Sequence, residues 1–221
     1  TLPAVGPMEP RRRRIEFFGD SITAGFCNLC TFASSGQTGA LLESYSHSWA
    51  NIVCDDFAAD CHTTAWSGYG IVENCCGGTT TLPMIWQRSL ATVSDSSWDF
   101  ASWAPDVVVL NVGTNDRLGQ RTENIARFNA TLLNILERAS ANYGRSTAFM
   151  LACGPMDEHY CASVEWIIDQ AKGKDIKAGF LDHRHYLNGT FGESCCGHPS
   201  TAVDAAMAKG TADAIRAFMG W

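Results

Sequence analysis

The chain has 221 residues, 46% of them hydrophobic and 18% charged, which is typical of a single folded domain and excludes a globally disordered protein. Its 16 Lys and Arg against 23 Asp and Glu give a net charge of −7, which argues against a nucleic-acid partner bound through its phosphates. No apolar run approaches the ~20 residues that a membrane-spanning helix needs, so we expect no membrane partner either.

The first ten residues contain three prolines and a glycine and are predicted to be a linker. The basic run at 11–14 then leads into a strand-like apolar segment. We therefore predict a linker at 1–10 and a single domain at 11–221.

Apolar, β-branched runs alternate with amphipathic helical patterns along the rest of the chain. In chain order they predict a strand at 13–18, a helix at 44–59, strands at 62–66 and 106–111, a helix at 122–141, a strand at 147–152, a helix at 163–172, a strand at 176–181 and a helix at 199–219. This alternation predicts an α/β protein with three layers (α/β/α), doubly wound around a parallel sheet of about five strands.

Ten cysteines, an even number, indicate disulfide bonds and hence a secreted protein whose signal peptide has been removed. Only two local pairs are close enough in sequence to predict, Cys54 with Cys61 and Cys153 with Cys161. The alternative is a zinc site at the CxxC motif of residues 27–30. We favour disulfides and expect no metal, because no second CxxC or HxxxH motif has matching spacing.

Two Asn-X-Thr triplets, at Asn129 and Asn188, match the acceptor sequence for N-glycosylation. They fit an extracellular glycoprotein, although such triplets also arise by chance. We favour a monomer.

Four loops at strand ends or before the last helix contain residues suited to acyl transfer, and parallel strands bring such loops to one edge of the sheet. Ser21 is the candidate nucleophile and His198 the candidate base. The backbone N–H groups of Ser21 and Gly68, with the side-chain amide of Asn115, are candidate donors to an oxyanion. Each motif alone has a structural explanation as a turn, a helix cap or a helix start; together they favour a hydrolase.

The segments at 15–23, 67–68, 112–116 and 198–199 resemble the four sequence blocks of the SGNH (GDSL) hydrolases, in the same order. The sequence at residues 66–70, 98–100 and 103–109 is more similar still to the catalytic domain of carbohydrate esterase family 2. The resemblance implies a flavodoxin-like SGNH fold and a serine esterase that removes acetyl groups from plant polysaccharides without a cofactor. It assigns Ser21 as nucleophile, Gly68 and Asn115 to the oxyanion hole, and His198 as base.

The chain departs from this family at the position of the third catalytic residue. Where members have an Asp three or two residues before the His, this chain has Cys195 and Cys196. Three interpretations remain: a Ser–His dyad in which a backbone carbonyl holds the imidazole, a carboxylate from Glu193, or one from Asp182. We favour the dyad, with a disulfide at one of the two cysteines holding the loop.

Three aromatic residues, Tyr69, Trp86 and Trp98, are candidates for stacking on sugar rings near this edge. For Trp98 a position in the core is an equal alternative. The remaining histidines near strand ends, at 159, 183 and 185, are predicted to have structural roles.

These observations predict a secreted acetyl esterase whose partner is an acetylated polysaccharide such as acetylxylan or acetylglucomannan. Two alternatives remain open. One is an SGNH esterase with lipase-like or phospholipase-like specificity, and the other is a carbohydrate-binding protein that has lost efficient turnover.

Overall fold

The computed structural model describes residues 13–31, 39–116, 122–187 and 196–221, and a sheet of five parallel strands lies at its centre. The strands are β1 (Arg14–Gly19), β2 (Asp60–Ala65), β3 (Val107–Asn111), β4 (Ala148–Cys153) and β5 (Ala178–Asp182). Their order in the sheet is β2-β1-β3-β4-β5, which is the flavodoxin-like arrangement. The predicted fold class is therefore confirmed.

Helices cover both faces of this sheet. They are α1 (Ser21–Ala24), α2 (Trp49–Asp56), α3 (Leu82–Ile85), α4 (Thr122–Tyr143), α5 (Cys161–Lys172) and α6 (Thr201–Met219), with short 3₁₀ turns at Gly39–Leu42, Tyr45–His47 and Arg184–Leu187. Helices α2 and α6 pack on one face, and α3, α4 and α5 contribute to the core on the other.

The alternating side-chain directions along β1 show why both faces of the sheet are apolar. Ile15 and Phe17 point into the core under α2 and α6, while Phe18 points into the core under α4 and α5. Successive side chains of a strand point to opposite faces, so a strand covered on both sides needs apolar residues at nearly every position. Two residues of this strand are charged: Arg14, which is exposed at its start, and Glu16, which is buried.

The ends of three strands are level, which places the loops that follow them side by side. Gly19, the last residue of β1, is paired with Ala65 of β2 and with Asn111 of β3. The chain segments that leave these three positions therefore emerge at one edge of the sheet.

The predicted helix at 44–59 is shorter in the structure. Ser48 adopts an extended conformation and its hydroxyl accepts a hydrogen bond from Asn51 N, so α2 begins only at Trp49 after a 3₁₀ turn. The chain leaves the helix at Phe57, and Ala58 has a positive φ of 47°. The two shortest helices, α1 and α3, were not predicted because one turn carries no periodic pattern.

Four disulfides are present among the described residues. Two are the predicted local pairs, Cys54–Cys61 and Cys153–Cys161. The others are the neighbours Cys75–Cys76 and the long-range pair Cys27–Cys196, whose members are 169 residues apart in sequence. Within the described part of the chain, no helix is both long and apolar enough to cross a membrane.

The predicted linker at 1–10 lies outside the described residues, so the domain boundary stays a prediction. The same holds for Asn188. The other glycosylation triplet lies on α4, where Asn129 is half-buried.

Candidate active site

The four predicted loops meet at the carboxyl edge of the sheet. Ser21 follows β1, Gly68 follows β2, Asn115 follows β3, and His198 precedes α6. Ligands of open α/β sheets bind at this edge because the loops there come from several strands at once.

Ser21 is the first residue of α1, directly after the turn from β1. Asp20 caps this helix, since its carboxylate accepts a hydrogen bond of 3.0 Å from Ile22 N. Gly19 is required before it, because a Cβ there would overlap the side chain of Thr23. The tight strand-to-helix turn thus fixes the direction of the Ser21 hydroxyl.

The hydroxyl of Ser21 lies at hydrogen-bond distance from His198. The distance from Ser21 Oγ to His198 Nε2 is 2.9 Å, and the other ring nitrogen, Nδ1, lies 3.3 Å from the carbonyl oxygen of Cys196. A carbonyl oxygen only accepts hydrogen bonds, so Nδ1 carries the proton in the neutral ring. Nε2 is then left to accept the proton of Ser21, which is the arrangement that general-base activation of a serine requires.

The environment of His198 favours the neutral base. Burial lowers the pKa of His198 below its ordinary value of 6.5, and the hydrogen bond to the Cys196 carbonyl opposes part of this change. The neutral form therefore predominates at neutral pH.

The two other candidate oxyanion donors, Gly68 and Asn115, lie on neighbouring loops. Gly68 has a φ of +82°, a conformation that glycine adopts without strain, and a Cβ there would contact Cys75 Sγ at 3.4 Å. The Asn115 amide is buried and donates to the carbonyl oxygen of Tyr69 at 2.9 Å. An amide nitrogen has two hydrogens, so this bond orients Asn115 and leaves a second hydrogen for an oxyanion.

Asp116 binds the loop that carries Gly68 and was not predicted to do so. Its carboxylate accepts hydrogen bonds from the backbone N–H groups of three successive residues, Ile71, Val72 and Glu73, at 2.9, 2.6 and 3.0 Å. Burial raises the pKa of Asp116, while these three bonds lower it. The only signal in the sequence was its position beside Asn115, which also fits a helix cap.

Of the two predicted third carboxylates, the structure describes only Asp182, which is bound to another residue. Asp182 lies at the end of β5, where its two oxygens accept hydrogen bonds from the guanidinium of Arg184 at 2.9 and 2.7 Å. This pairing lowers the pKa of Asp182 to about 2. Glu193 and Cys195 lie outside the described residues. The acceptor that the structure places at Nδ1 is the backbone carbonyl of the favoured dyad interpretation.

Two of the other histidines near strand ends contact side chains of the surrounding fold. His183 is fully buried between Asn111 and Thr211, with ring-nitrogen distances of 3.2 and 2.9 Å, and burial lowers its pKa to about 3. His159 lies 2.6 Å from a carboxylate oxygen of Asp157.

Of the three aromatic residues predicted to contact sugar rings, two are accessible and one is buried. Tyr69 is half-buried beside the exposed Trp66, with 5.7 Å between the ring centroids, and Trp98 is half-buried with its ring against His62. Trp86 is only 4% exposed, and its indole N–H donates to the carboxylate of Glu16. Trp86 therefore belongs to the core, which corrects the prediction that it contacts substrate. Trp66, which directly follows β2, was not among the predicted residues.

Metal binding has one candidate cluster among the described residues. The sulfurs of Cys27, Cys30 and Cys196 lie within 4.8 Å of one another. Cys27 and Cys196 are joined as a disulfide, and none of the described cysteines is a free thiol.

Comparison with known proteins places this geometry in a family. Residues 17–213 match the model of the GDSL-like lipase/acylhydrolase family. The chain is 32% identical over 222 residues to the cellulase/esterase CelE of Acetivibrio thermocellus, covering 96% of this chain and 26% of that protein. It is 26% identical over 225 residues to an acetylxylan esterase / glucomannan deacetylase of Cellvibrio japonicus, covering 95% of this chain and 61% of that protein.

The fold also matches a solved structure. A family two carbohydrate esterase from Clostridium thermocellum, solved in complex with cellohexaose, superimposes with a TM-score of 0.88 at 27% identity, covering 98% of this chain and 67% of that one. The chain thus spans about a quarter of one curated relative and less than two thirds of the other. The expected resemblance is confirmed: the chain belongs to the GDSL-like lipase/acylhydrolase family of ester hydrolases, and its relatives include carbohydrate esterases of family 2.

Proposed function

We propose that this protein is a serine esterase that removes acetyl groups from a plant-type polysaccharide such as acetylxylan or acetylglucomannan. The observation that carries the proposal is the 2.9 Å contact between Ser21 Oγ and His198 Nε2 at the carboxyl edge of the sheet. The named activities of the relatives support the substrate class, since one is an acetylxylan esterase / glucomannan deacetylase.

In the first half of the proposed reaction, Ser21 Oγ attacks the carbonyl carbon of the acetyl ester while its proton passes to His198 Nε2. The negative charge that develops on the ester oxygen is stabilised by the N–H groups of Ser21 and Gly68 and by the Asn115 amide. The carbon–oxygen bond to the sugar then breaks. The sugar hydroxyl leaves with the proton from His198, and the acetyl group remains on Ser21.

In the second half, His198 takes a proton from a water molecule that attacks the acetyl carbon. The tetrahedral intermediate collapses to acetate, and the proton returns to Ser21 Oγ. No metal or cofactor takes part in the proposed reaction. Throughout the proposed reaction, the Cys196 carbonyl accepts a hydrogen bond from His198 Nδ1–H. Its partial negative charge stabilises the imidazolium less than the full charge of a carboxylate would.

Secretion is part of the proposal. The disulfides support it, because such bonds persist in oxidising compartments.

The first prediction compares two variants on p-nitrophenyl acetate and on acetylated xylan and glucomannan. We expect Ser21→Ala to lower kcat by about 10³-fold or more, because the nucleophile is lost. Asp182→Asn is the matched control, and we expect its kcat within a few fold of wild type because its carboxylate binds Arg184. Acetate release and p-nitrophenol absorbance measure both.

Four results would contradict parts of the proposal. Activity retained in Ser21→Ala would exclude the nucleophile. A ~10³-fold loss in Asp182→Asn would identify that residue as the orienting carboxylate. Binding of polysaccharide by a wild-type protein that releases no acetate would favour a carbohydrate-binding protein, and faster cleavage of p-nitrophenyl butyrate than of the acetate would favour a lipase-like esterase.

A further inference from the structure

Three consecutive residues, at 26–28, contact the segment that carries the candidate base. The contacts are Phe26 with the His198 ring at 4.9 Å between centroids, Cys27 with Cys196 through a disulfide, and Asn28 with the carboxylate of Asp204 at 3.0 Å. Cys27, Asn28 and Asp204 are all buried. The segment at 26–28 therefore holds the segment at 196–204 in place, and we call residues 26–28 the 26–28 clamp.

The clamp is also fixed to the nucleophile. Phe26 N donates to the carbonyl oxygen of Ser21 at 2.9 Å, directly beyond the one-turn helix that Ser21 begins. The distance in sequence from Ser21 to Cys27 is only six residues. The disulfide thus joins the element of the nucleophile to the loop of the base.

The position of the Cys196 carbonyl depends on local anchoring. Gly197, between Cys196 and His198, has a φ of +72°, and no described atom lies within 4 Å of the place a Cβ would take. A glycine in open space gives the backbone rotational freedom on both sides. The carbonyl that accepts from His198 Nδ1 belongs to the residue whose side chain forms the disulfide.

We propose that the Cys27–Cys196 disulfide positions this carbonyl and thereby sets the tautomer and orientation of His198. In a Ser–His–Asp triad the carboxylate both orients the imidazole and supplies a negative charge. The disulfide-held carbonyl would orient the imidazole without supplying that charge. Cys27 and Cys196 are positioning residues, because they act through the imidazole. The kinetic consequence rests on the proposed esterase function, whereas the effect on the imidazole does not.

The test is the double variant Cys27→Ala/Cys196→Ala. Both cysteines are replaced because a single substitution would leave a free thiol within 4.8 Å of Cys30 Sγ, which is itself disulfide-bonded, and thiol–disulfide exchange would then be open to it. The variant keeps the backbone carbonyl and removes only its tether. The matched control is Cys54→Ala/Cys61→Ala, which removes a disulfide between α2 and β2.

In the folded Cys27→Ala/Cys196→Ala variant, we expect kcat on p-nitrophenyl acetate to fall about tenfold or more with KM changed less than threefold, because a misplaced base slows chemistry more than binding. The control should lose thermal stability with kcat within about twofold of wild type. Nitrogen-15 NMR, with the His198 signal assigned through His198→Gln, should show the Nδ1–H tautomer in wild type and in the control, and a tautomer mixture in the variant.

A second measurement applies if the variant does not fold. Cys196 is exposed, so a water-soluble phosphine should reduce its disulfide early in the native protein, and alkylation with mass mapping identifies the bond reduced. We expect the loss of kcat to follow reduction of this bond and to reverse on reoxidation.

The proposal would be overturned by a folded Cys27→Ala/Cys196→Ala variant with an unchanged kcat and an unchanged His198 tautomer. Phosphine reduction of the Cys27–Cys196 bond that leaves kcat intact would also overturn it. So would intact-mass and metal analysis showing that these cysteines are zinc-bound thiolates. If the wild type shows no Ser21-dependent hydrolysis, the esterase proposal fails. The NMR comparison still decides whether the disulfide positions His198.

Discussion

The two nitrogens of His198 face different kinds of partner, and this difference determines how the residue titrates. Nε2 faces the hydroxyl of Ser21 and Nδ1 the carbonyl of Cys196, so neither contact supplies a full negative charge to stabilise the imidazolium. Burial therefore dominates and lowers the pKa of His198. A triad carboxylate at Nδ1 would act in the opposite direction.

We predict that kcat/KM for p-nitrophenyl acetate rises with pH as His198 of the substrate-free enzyme loses its proton, with a midpoint below 6.5. The nearby Asp20 has a pKa raised to about 7, mainly by burial, and is a second source of titration. Asp20→Asn keeps the helix cap and removes this titration. A limb with its midpoint above 6.5 that persists in Asp20→Asn would contradict the lowered pKa of His198.

The loop after β2 depends on contacts with the loop after β3. Asn115 binds the Tyr69 carbonyl, and Asp116 binds three N–H groups just beyond it. The N–H of Gly70 is bound by the side chain of Asn74 at 3.1 Å. The two loops that carry the proposed oxyanion donors are thus held as one unit, which matters because such donors act only when they are already oriented.

Gly70→Ala should disrupt this unit. A Cβ at position 70 would overlap the carbonyl oxygen of Glu73 and lie 2.7 Å from Asp116 Oδ2. We expect a loss of about 1–3 kcal/mol in the free energy of unfolding and at least about a tenfold fall in kcat. Urea unfolding and p-nitrophenyl acetate kinetics measure the two effects.

Gly173→Ala at the end of α5 is the control for Gly70→Ala. The nearest atom to its Cβ would be Gln170 O at 3.4 Å, an ordinary contact, so stability should change by less than about 0.5 kcal/mol. Equal effects of the two substitutions would show that the loop after β2 tolerates a side chain.

At the scale of the molecule, three buried carboxyl groups among the described residues have a pKa that is raised to about 7. Burial is the largest cause in each case, and it raises the pKa of Glu16, Asp20 and Asp204 to about 7. An acid with a raised pKa in the folded state binds its proton more tightly there than in the unfolded chain. Its contribution to stability is therefore greatest below its unfolded pKa, falls as the pH rises towards 7, and is constant above that.

Glu16→Gln isolates one of these groups. The substitution keeps an acceptor for the Trp86 indole N–H but has no proton to lose. Between pH 4.5 and about 7, each such group makes the free energy of unfolding fall by at most about 1.4 kcal/mol per pH unit, so the variant should show a correspondingly shallower fall. Urea unfolding at pH 5 and pH 8 measures this difference, and parallel pH curves for variant and wild type would contradict the raised pKa.

The sequence by itself determined the sheet and the meeting place of the four loops. Apolar runs such as the one in β3 indicate strands covered on both faces, and parallel strands bring the residues that follow them to one edge. Ser21, Gly68, Asn115 and His198 could be proposed as one site for that reason. Each is a residue type with a chemical function at a position set by local structure.

Only the tertiary structure decided which groups support those residues. A backbone carbonyl has no sequence signature, so the acceptor at His198 Nδ1 could not be read from residue types. The pairing of Cys27 with Cys196 depends on two segments 169 residues apart meeting in space, and Trp86 lies in the core because β1 places Glu16 beneath its indole. These are contacts between distant segments, which spacing along the chain does not encode.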